Sequence, residues 1–203
     1  MAIVNGSVIG NLSGKLGNLS AMTINGQTIM AARPSSFNAS QEPASLVVRA
    51  KFAVTASFAK NVLSLIALEE IWRKVKDSGI SIFNAIFKAN FAYSSTAKPT
   101  EQNIIAPVGF ALAVTTALVE TDKITATLPA LNTASVFGAD EVNISANALV
   151  CYYDPSNETD DPFKIISLSK EVANFNFTQT YSLQMDFNVL QEAVAAKYQH
   201  SIL

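Results

Sequence analysis

A glycine-rich run near the start of the sequence has the outline of a phosphate-binding loop: Gly10-Asn-Leu-Ser-Gly14-Lys15-Leu16-Gly17. A P-loop cradles phosphates on backbone amides and holds Mg²⁺ through a hydroxyl residue directly after its lysine. Here only three residues separate Gly10 from Gly14, and Leu16 stands where the hydroxyl should be. We therefore predict no nucleotide site, and expect these glycines to supply backbone freedom and close packing against a neighbour.

Four acidic residues lie in a polar loop between two apolar stretches. Asp154, Glu158, Asp160 and Asp161 could offer oxygen ligands to calcium. The loop lacks the alternating ligand spacing and the turn glycine of an EF-hand. A solvated turn is the favoured interpretation, and calcium binding stays open.

Nucleophiles and metal ligands are few. Cys151 lies in the apolar run Leu149-Val-Cys-Tyr152 with no cation beside it in sequence, which predicts a buried, inert thiol. His200 lies in the last few residues, where the sequence indicates no ordered pocket for a general base. We predict no catalytic residue, no cofactor and no metal site, and hence a protein that is not an enzyme.

The surface is the unusual feature of the composition. Charged residues make up 15% of the 203 residues, against about 25% in an average soluble domain, and the mean hydropathy is +0.26. Such a surface favours extensive contact with other subunits. A net charge of −2 gives no attraction for phosphate, so we predict no nucleic-acid partner.

Two segments bear on membranes and export. Residues 102–119 carry no charge, but Pro107 and Gly109 interrupt them and no basic residues flank them, so a buried strand explains them better than a membrane span. The first residues lack a basic region followed by an apolar run, so we expect no secretory signal and synthesis in the cytoplasm.

Residues 1–44 form the first predicted domain, a glycine-rich arm. Five of the eight glycines fall there among Ser and Asn. Asn25-Gly26 separates two short apolar runs and predicts a two-residue hairpin turn. We expect an extended arm ending in a hairpin, unable to fold alone.

Residues 45–98 form the second predicted domain, a helical hairpin. Apolar residues recur at helical spacing from 46 to 76, which predicts one long helix ended by Ser78-Gly79. A second, shorter helix is predicted from 82 to 91.

Residues 99–203 form the third, a β-sandwich. β-branched and aromatic residues alternate there with short turn signals. The predicted strands cover residues 105–119, 123–128, 141–144, 148–153, 163–168, 175–181 and 182–189. The tail from 191 to 203 fits a last strand or a short helix equally well.

Several of these motifs together resemble an uncharacterised family of similar length found in Bacteroidota. The resemblance is carried by the pattern Gly10-x-x-Ser13-Gly14-Lys15-x-Gly17, by Gly26 and Arg33-Pro34, by Ala50-Lys-Phe52, and by Ala148-Leu-Val-Cys-Tyr-Tyr-Asp-Pro155. It implies a helical N-terminal part and an immunoglobulin- or fibronectin-like sandwich, that is, an α+β protein. It implies no activity.

The sequence thus predicts a structural subunit of a repetitive assembly, most plausibly a phage virion protein. Its partners would be copies of itself and other structural proteins of the same assembly. We predict that the arm makes these contacts through Gly10, Ser13, Gly14, Lys15, Gly17, Gly26 and Arg33. The alternative is an immunoglobulin-like adhesion module whose loops bind a glycan or a surface protein.

Overall fold

The computed structural model describes residues 2–4, 12–24, 26–33, 36, 38–107, 113–133, 136–138 and 140–203. Contacts along the chain divide it into two compact units, Met1–Ser45 and Leu46–Leu203. The architecture is α+β, as predicted.

The first unit is an antiparallel sheet of four strands in the order β1-β4-β3-β2. The strands are β1 (Ala2–Val4), β2 (Gly14–Leu16), β3 (Leu19–Ile24) and β4 (Gln27–Ala32). Ile24 pairs with Gln27, so the two-residue hairpin turn is confirmed. Asn25, the other turn residue, lies outside the described residues. The expectation of an extended arm was wrong, because β1 and β2 pair onto the hairpin and satisfy their backbone groups within the unit.

The second unit begins with helices. They are α1 (Pro43–Leu63), α2 (Ile66–Val75) and α3 (Ile82–Asn90). The prediction of one long helix was wrong, because the chain bends by 106° between α1 and α2. Leu65 is extended at the bend, and the Ser64 hydroxyl donates to the Asn61 carbonyl at 2.7 Å. The bend brings apolar residues of both helices into one core, which a straight helix could not do.

That helical core includes residues from beyond the helices. Its buried members are Phe58, Ala59, Val62, Leu65, Leu68, Trp72, Ile86, Ala106 and Leu149. Trp72 donates its indole N–H to the Ile105 carbonyl at 2.9 Å. The segment 104–106 therefore packs as a non-strand loop against the helices, and of the described residues in the predicted strand 105–119 only the last four form a strand. Residues 108–112 lie outside the described part of the chain.

Two antiparallel three-stranded sheets form the rest of the unit, in the orders β5-β6-β9 and β10-β7-β8. The strands are β5 (Thr116–Val119), β6 (Lys123–Leu128), β7 (Ile144–Pro155), β8 (Phe163–Val172), β9 (Tyr181–Asp186) and β10 (Tyr198–Ile202). The tail contains both predicted alternatives, since the helix α4 (Val189–Ala195) precedes β10.

The predicted strands 141–144 and 148–153 are replaced by one strand, β7, which begins at Ile144 and leaves residues 141–143 outside it. Ten of its residues pair continuously with β8, from Ile144 opposite Val172 to Tyr153 opposite Phe163. Cross-strand pairing along this length outweighs the weak strand propensity of Ser145-Ala-Asn147.

The predicted strand 175–181 forms turns instead. Asn174 adopts a positive φ of 52°, and the Asn176 side chain accepts hydrogen bonds from the amide and the hydroxyl of Thr178. Such local bonds compete with strand pairing. Phe175 nevertheless stays buried, in edge contact with Tyr181.

The two sheets share an apolar inter-sheet core. Its buried members are Ile124, Ala146, Val150, Tyr152, Ile166, Leu168, Leu183, Met185 and Phe187. In β9 the buried residues Leu183 and Met185 alternate with exposed ones, which is the pattern of a strand with one face on a core.

No single helix in the described ranges is long and apolar enough to cross a membrane. Only α1 and α2 together reach that length and composition, across their bend.

Candidate functional site: exposed apolar surface and an apolar cavity

The residues predicted to form the assembly arm lie along the first sheet. Ser13 precedes β2, and Gly14 and Lys15 lie in it. Gly17 and Gly26 occupy the two turns that flank β3. Arg33 follows β4, and Gly10 lies outside the described residues.

The sheet does not gather these residues into one site. The Arg33 amide donates to the Asn18 carbonyl at 2.7 Å, so Gly17 and Arg33 lie at the same end. Gly26 lies at the other end, where Ile24 and Gln27 pair. Contacts of this set with a neighbouring subunit stay a prediction.

Backbone conformation accounts for the two turn glycines. Gly17 has φ +58° and Gly26 has φ +79°, the left-handed region that costs other residues energy. A Cβ added at either would meet no atom of the described chain within 4 Å. Within the chain these glycines serve turn geometry rather than close packing.

The acidic loop is held by cations of its own chain. Asp160 pairs with Lys197 at 2.8 Å and Asp161 with Lys164 at 3.4 Å. The Tyr198 hydroxyl also donates to the Asp161 carbonyl. Across the described ranges, no cluster of three or more His, Cys, Asp or Glu side chains could hold a metal ion.

Cys151 is buried in β7, as predicted. Burial raises the pKa of its thiol to about 11, although the positive charge of Lys98 acts in the opposite direction. A thiol with so high a pKa is a poor nucleophile at neutral pH. His200 is exposed on β10, 3.6 Å from an Asp154 oxygen and in ring contact with Tyr153.

The beginning of α1 carries a cluster of exposed apolar side chains. Leu46, Val47, Val48 and Phe52 are each between 44% and 54% exposed. We call these four residues the exposed apolar end of α1. Single exposed apolar residues are normal, but four within seven positions are typical of a surface that binds another molecule.

An apolar cavity of about 440 Å³ lies between the two sheets, the helix α2 and the loop 99–106. Its wall includes Ala117 on β5, Ala126 on β6, residues 145–149 of β7, and Leu203. A volume of this size is within the range of ligand-binding pockets.

Two buried polar atoms near this region have no hydrogen-bond partner: the side-chain oxygen Oδ1 of Asn147 and the hydroxyl of Tyr152. Asn147 lines the cavity. Tyr152 belongs to the inter-sheet core, where burial raises the pKa of its hydroxyl to about 12. Buried polar atoms without partners are uncommon in folded proteins and call for an explanation.

Sequence reasoning missed both features. The run Leu46-Val-Val48 fits the start of an apolar helical face, and periodicity cannot tell which part of such a face the fold leaves uncovered. The cavity is lined by residues from α1, α2, the loop 99–106 and several strands, so no local spacing could indicate it.

No family model, no curated protein and no solved structure matches this chain. The resemblance to a Bacteroidota family therefore stays a prediction.

Proposed function

We propose that this protein is a non-catalytic structural subunit of a repetitive assembly. The observation that carries the proposal is the exposed apolar end of α1, because four clustered apolar side chains gain free energy only when another surface covers them. The low content of charged residues, 15% of the chain, supports it.

The size of this surface suggests more than one contact per subunit. Fully burying a Val, Leu or Phe side chain is worth about 1.5–3 kcal/mol, and these four are already half covered. Their completed burial would supply roughly 4 kcal/mol. Association costs about 4–15 kcal/mol in lost freedom, so stable assembly needs a second contact.

Within this function, we propose that the two C-terminal sheets form an immunoglobulin- or fibronectin-like sandwich. Their common core and antiparallel pairing support this. We further propose a phage virion as the assembly, since the low content of charged residues suits a subunit that is largely covered by its neighbours. This part rests on the sequence features.

The alternative, a glycan- or protein-binding adhesion module, has one observation in its favour. Tyr93 is exposed in the loop after α3. Glycan sites use aromatic side chains on exposed loops, and of the aromatic residues that the structure describes only Tyr93 meets that description. Two acidic residues of the loop 154–162 already form ion pairs with Lys197 and Lys164, which leaves them less able to bind a partner. Assembly is the better-supported function.

The test is the mass of the full-length chain in solution by light scattering over a range of concentrations. We expect regular oligomers for the natural sequence. Val48→Glu should weaken association at least about tenfold, because it places a charge where a neighbour must exclude water.

Val189→Glu is the matched control. Val189 is also an exposed valine, at the start of α4, where an acidic side chain suits the helix dipole. It should associate like the natural chain. Monomers of the natural chain at every concentration would refute the proposed function.

A further inference from the structure

β7 is paired unequally on its two edges. On one edge β8 pairs with ten of its twelve residues, from Ile144 to Tyr153. On the other edge β10 pairs only between Cys151 and Pro155. Residues 144–150 therefore have no strand partner on that second edge within the described chain.

The apolar cavity borders this edge. Residues 145–149 of β7 line it, and so does Ile202, where β10 ends. Ala117 and Ala126 form part of the wall opposite. Because alanine side chains are small, they leave space between β7 and the strands β5 and β6. The cavity lies along β7 next to the end of β10, and this space can hold the side chains of another strand.

The side-chain oxygen of Asn147 needs a hydrogen-bond donor from whatever occupies this space. Asn147 Oδ1 is buried without a partner, while its amide nitrogen reaches Ser145 Oγ at 3.4 Å. The missing partner must be a hydrogen-bond donor. In antiparallel and parallel ladders alike, an unpaired strand edge offers both N–H and C=O groups that also need partners.

We propose that the edge of β7 at residues 144–150 is a strand-addition site, filled by an extended apolar segment of a second copy of this chain. The proposal rests on the proposed function and names the second contact that it requires. A strand brings both backbone donors and acceptors for the edge, a donor for Asn147 Oδ1, and apolar side chains for the cavity. An acyl chain would fill the cavity but leave the edge unpaired.

Continuity with β10 supports a strand as the occupant. β10 already pairs antiparallel with the second half of β7. A strand placed beyond Leu203, which also lines the cavity, would continue the same row along β7. Pairing of this kind repeats from copy to copy when it is not reciprocal, which gives an open array.

The first experiment compares two neighbouring residues of β5 in the full-length chain. Ala117 is exposed and lines the cavity, whereas Leu118 is exposed and points to the other face of the strand. Ala117→Trp should occupy the cavity and weaken association at least about tenfold by light scattering. Leu118→Trp, the control, should associate like the natural chain, and circular dichroism and melting should show both variants folded.

Amide hydrogen exchange tests the edge itself. In dilute monomers, the amides of 144–150 that point away from β8 should exchange quickly, and in the assembled state at least about tenfold more slowly. The outer edge of β8 is the internal control and should exchange alike in both states, since it is the far edge of the same sheet.

The outcomes separate the two proposals. Assembly of Ala117→Trp at natural strength overturns the strand-addition site but leaves the proposed function standing. Amides of 144–150 that are already protected in the monomer overturn it too, because the edge is then covered within the chain. An amphipathic molecule found by mass spectrometry in the natural monomer and lost from Ala117→Trp replaces the strand with a small ligand.

Discussion

The helical core and the region around the inter-sheet core each contain a buried asparagine oxygen, and the two oxygens differ in their hydrogen bonding. Asn90, fully buried in α3, uses its whole side-chain amide. Its nitrogen donates to the carbonyls of Ile86 and Ile104, and its oxygen accepts from the Ile104 amide and the Asn103 side chain. Asn147 Oδ1 is also buried, yet no described residue donates a hydrogen bond to it.

The difference separates a region where a buried polar side chain makes all its hydrogen bonds from one where a buried oxygen makes none with the described residues. A fully satisfied buried polar group stabilises a unique arrangement, and Asn90 is such a group in the helical core. Among the described residues, the sheet region combines a buried oxygen without a hydrogen-bond partner, an apolar cavity and a strand edge without a strand partner. These observations support the proposed strand-addition site.

The largest expected effect is at Asn90. Asn90→Ala removes four hydrogen bonds and leaves the Ile104 amide and carbonyl buried without partners. We expect a loss of about 2–4 kcal/mol in the free energy of unfolding, measured with urea. Asn84→Ala, an exposed site on the same helix, should cost less than about 0.5 kcal/mol. Equal effects at the two sites would contradict a specified helical core.

A smaller effect should appear as pH dependence at the cavity wall. Burial raises the pKa of Cys151 from its ordinary value of 9.0 to about 11. Between these values the unfolded chain has lost the thiol proton and the folded chain keeps it, so the unfolded state binds fewer protons and stability falls as pH rises.

Melting temperatures from pH 8 to 11 check this expectation. Cys151→Ala should melt with a shallower decline than the natural chain over that range, because the group responsible is gone. Parallel declines would mean that the thiol is not desolvated and that water reaches this wall.

The smallest effect is expected at Tyr152. Its hydroxyl is buried without a partner, so Tyr152→Phe should change the free energy of unfolding by no more than about 0.5 kcal/mol, or raise it. Tyr198→Phe, which removes the hydrogen bond to the Asp161 carbonyl, should cost about 0.5–1.5 kcal/mol. A costly Tyr152→Phe would show that the hydroxyl has a partner and would weaken the contrast between the two regions.

Local chemistry predicted the elements that depend on neighbouring residues. The Asn25-Gly26 turn, the helix α3 and most strands of the C-terminal half agree with the expectations, because turn residues and apolar spacing act over a few positions. The bend at Leu65 does not follow from such signals, because it accompanies packing of α1 and α2 against residues far along the chain. The strand predicted at 175–181 is replaced by local bonds between Asn176 and Thr178, which the alternation of apolar residues does not reveal.

For the candidate surfaces too, some features could be predicted from the sequence and others could not. The low charge and the absence of a recognisable catalytic pattern could be read from composition and spacing, and they suggested assembly. Of the residues predicted for contact, Gly17 and Gly26 form turns at opposite ends of the first sheet, and contact of the set with a neighbour stays a prediction. The exposed apolar end of α1 and the cavity were not identified.

The sequence by itself determined the class of this protein, α+β with antiparallel sheets, because hydrophobic periodicity and turn residues are local properties. Only the tertiary structure decided which apolar residues stay uncovered and which strand edge lacks a partner. The reason is physical: whether Val48 is exposed or Asn147 unpaired depends on where distant segments come to rest, and burial is a property of the whole packed chain.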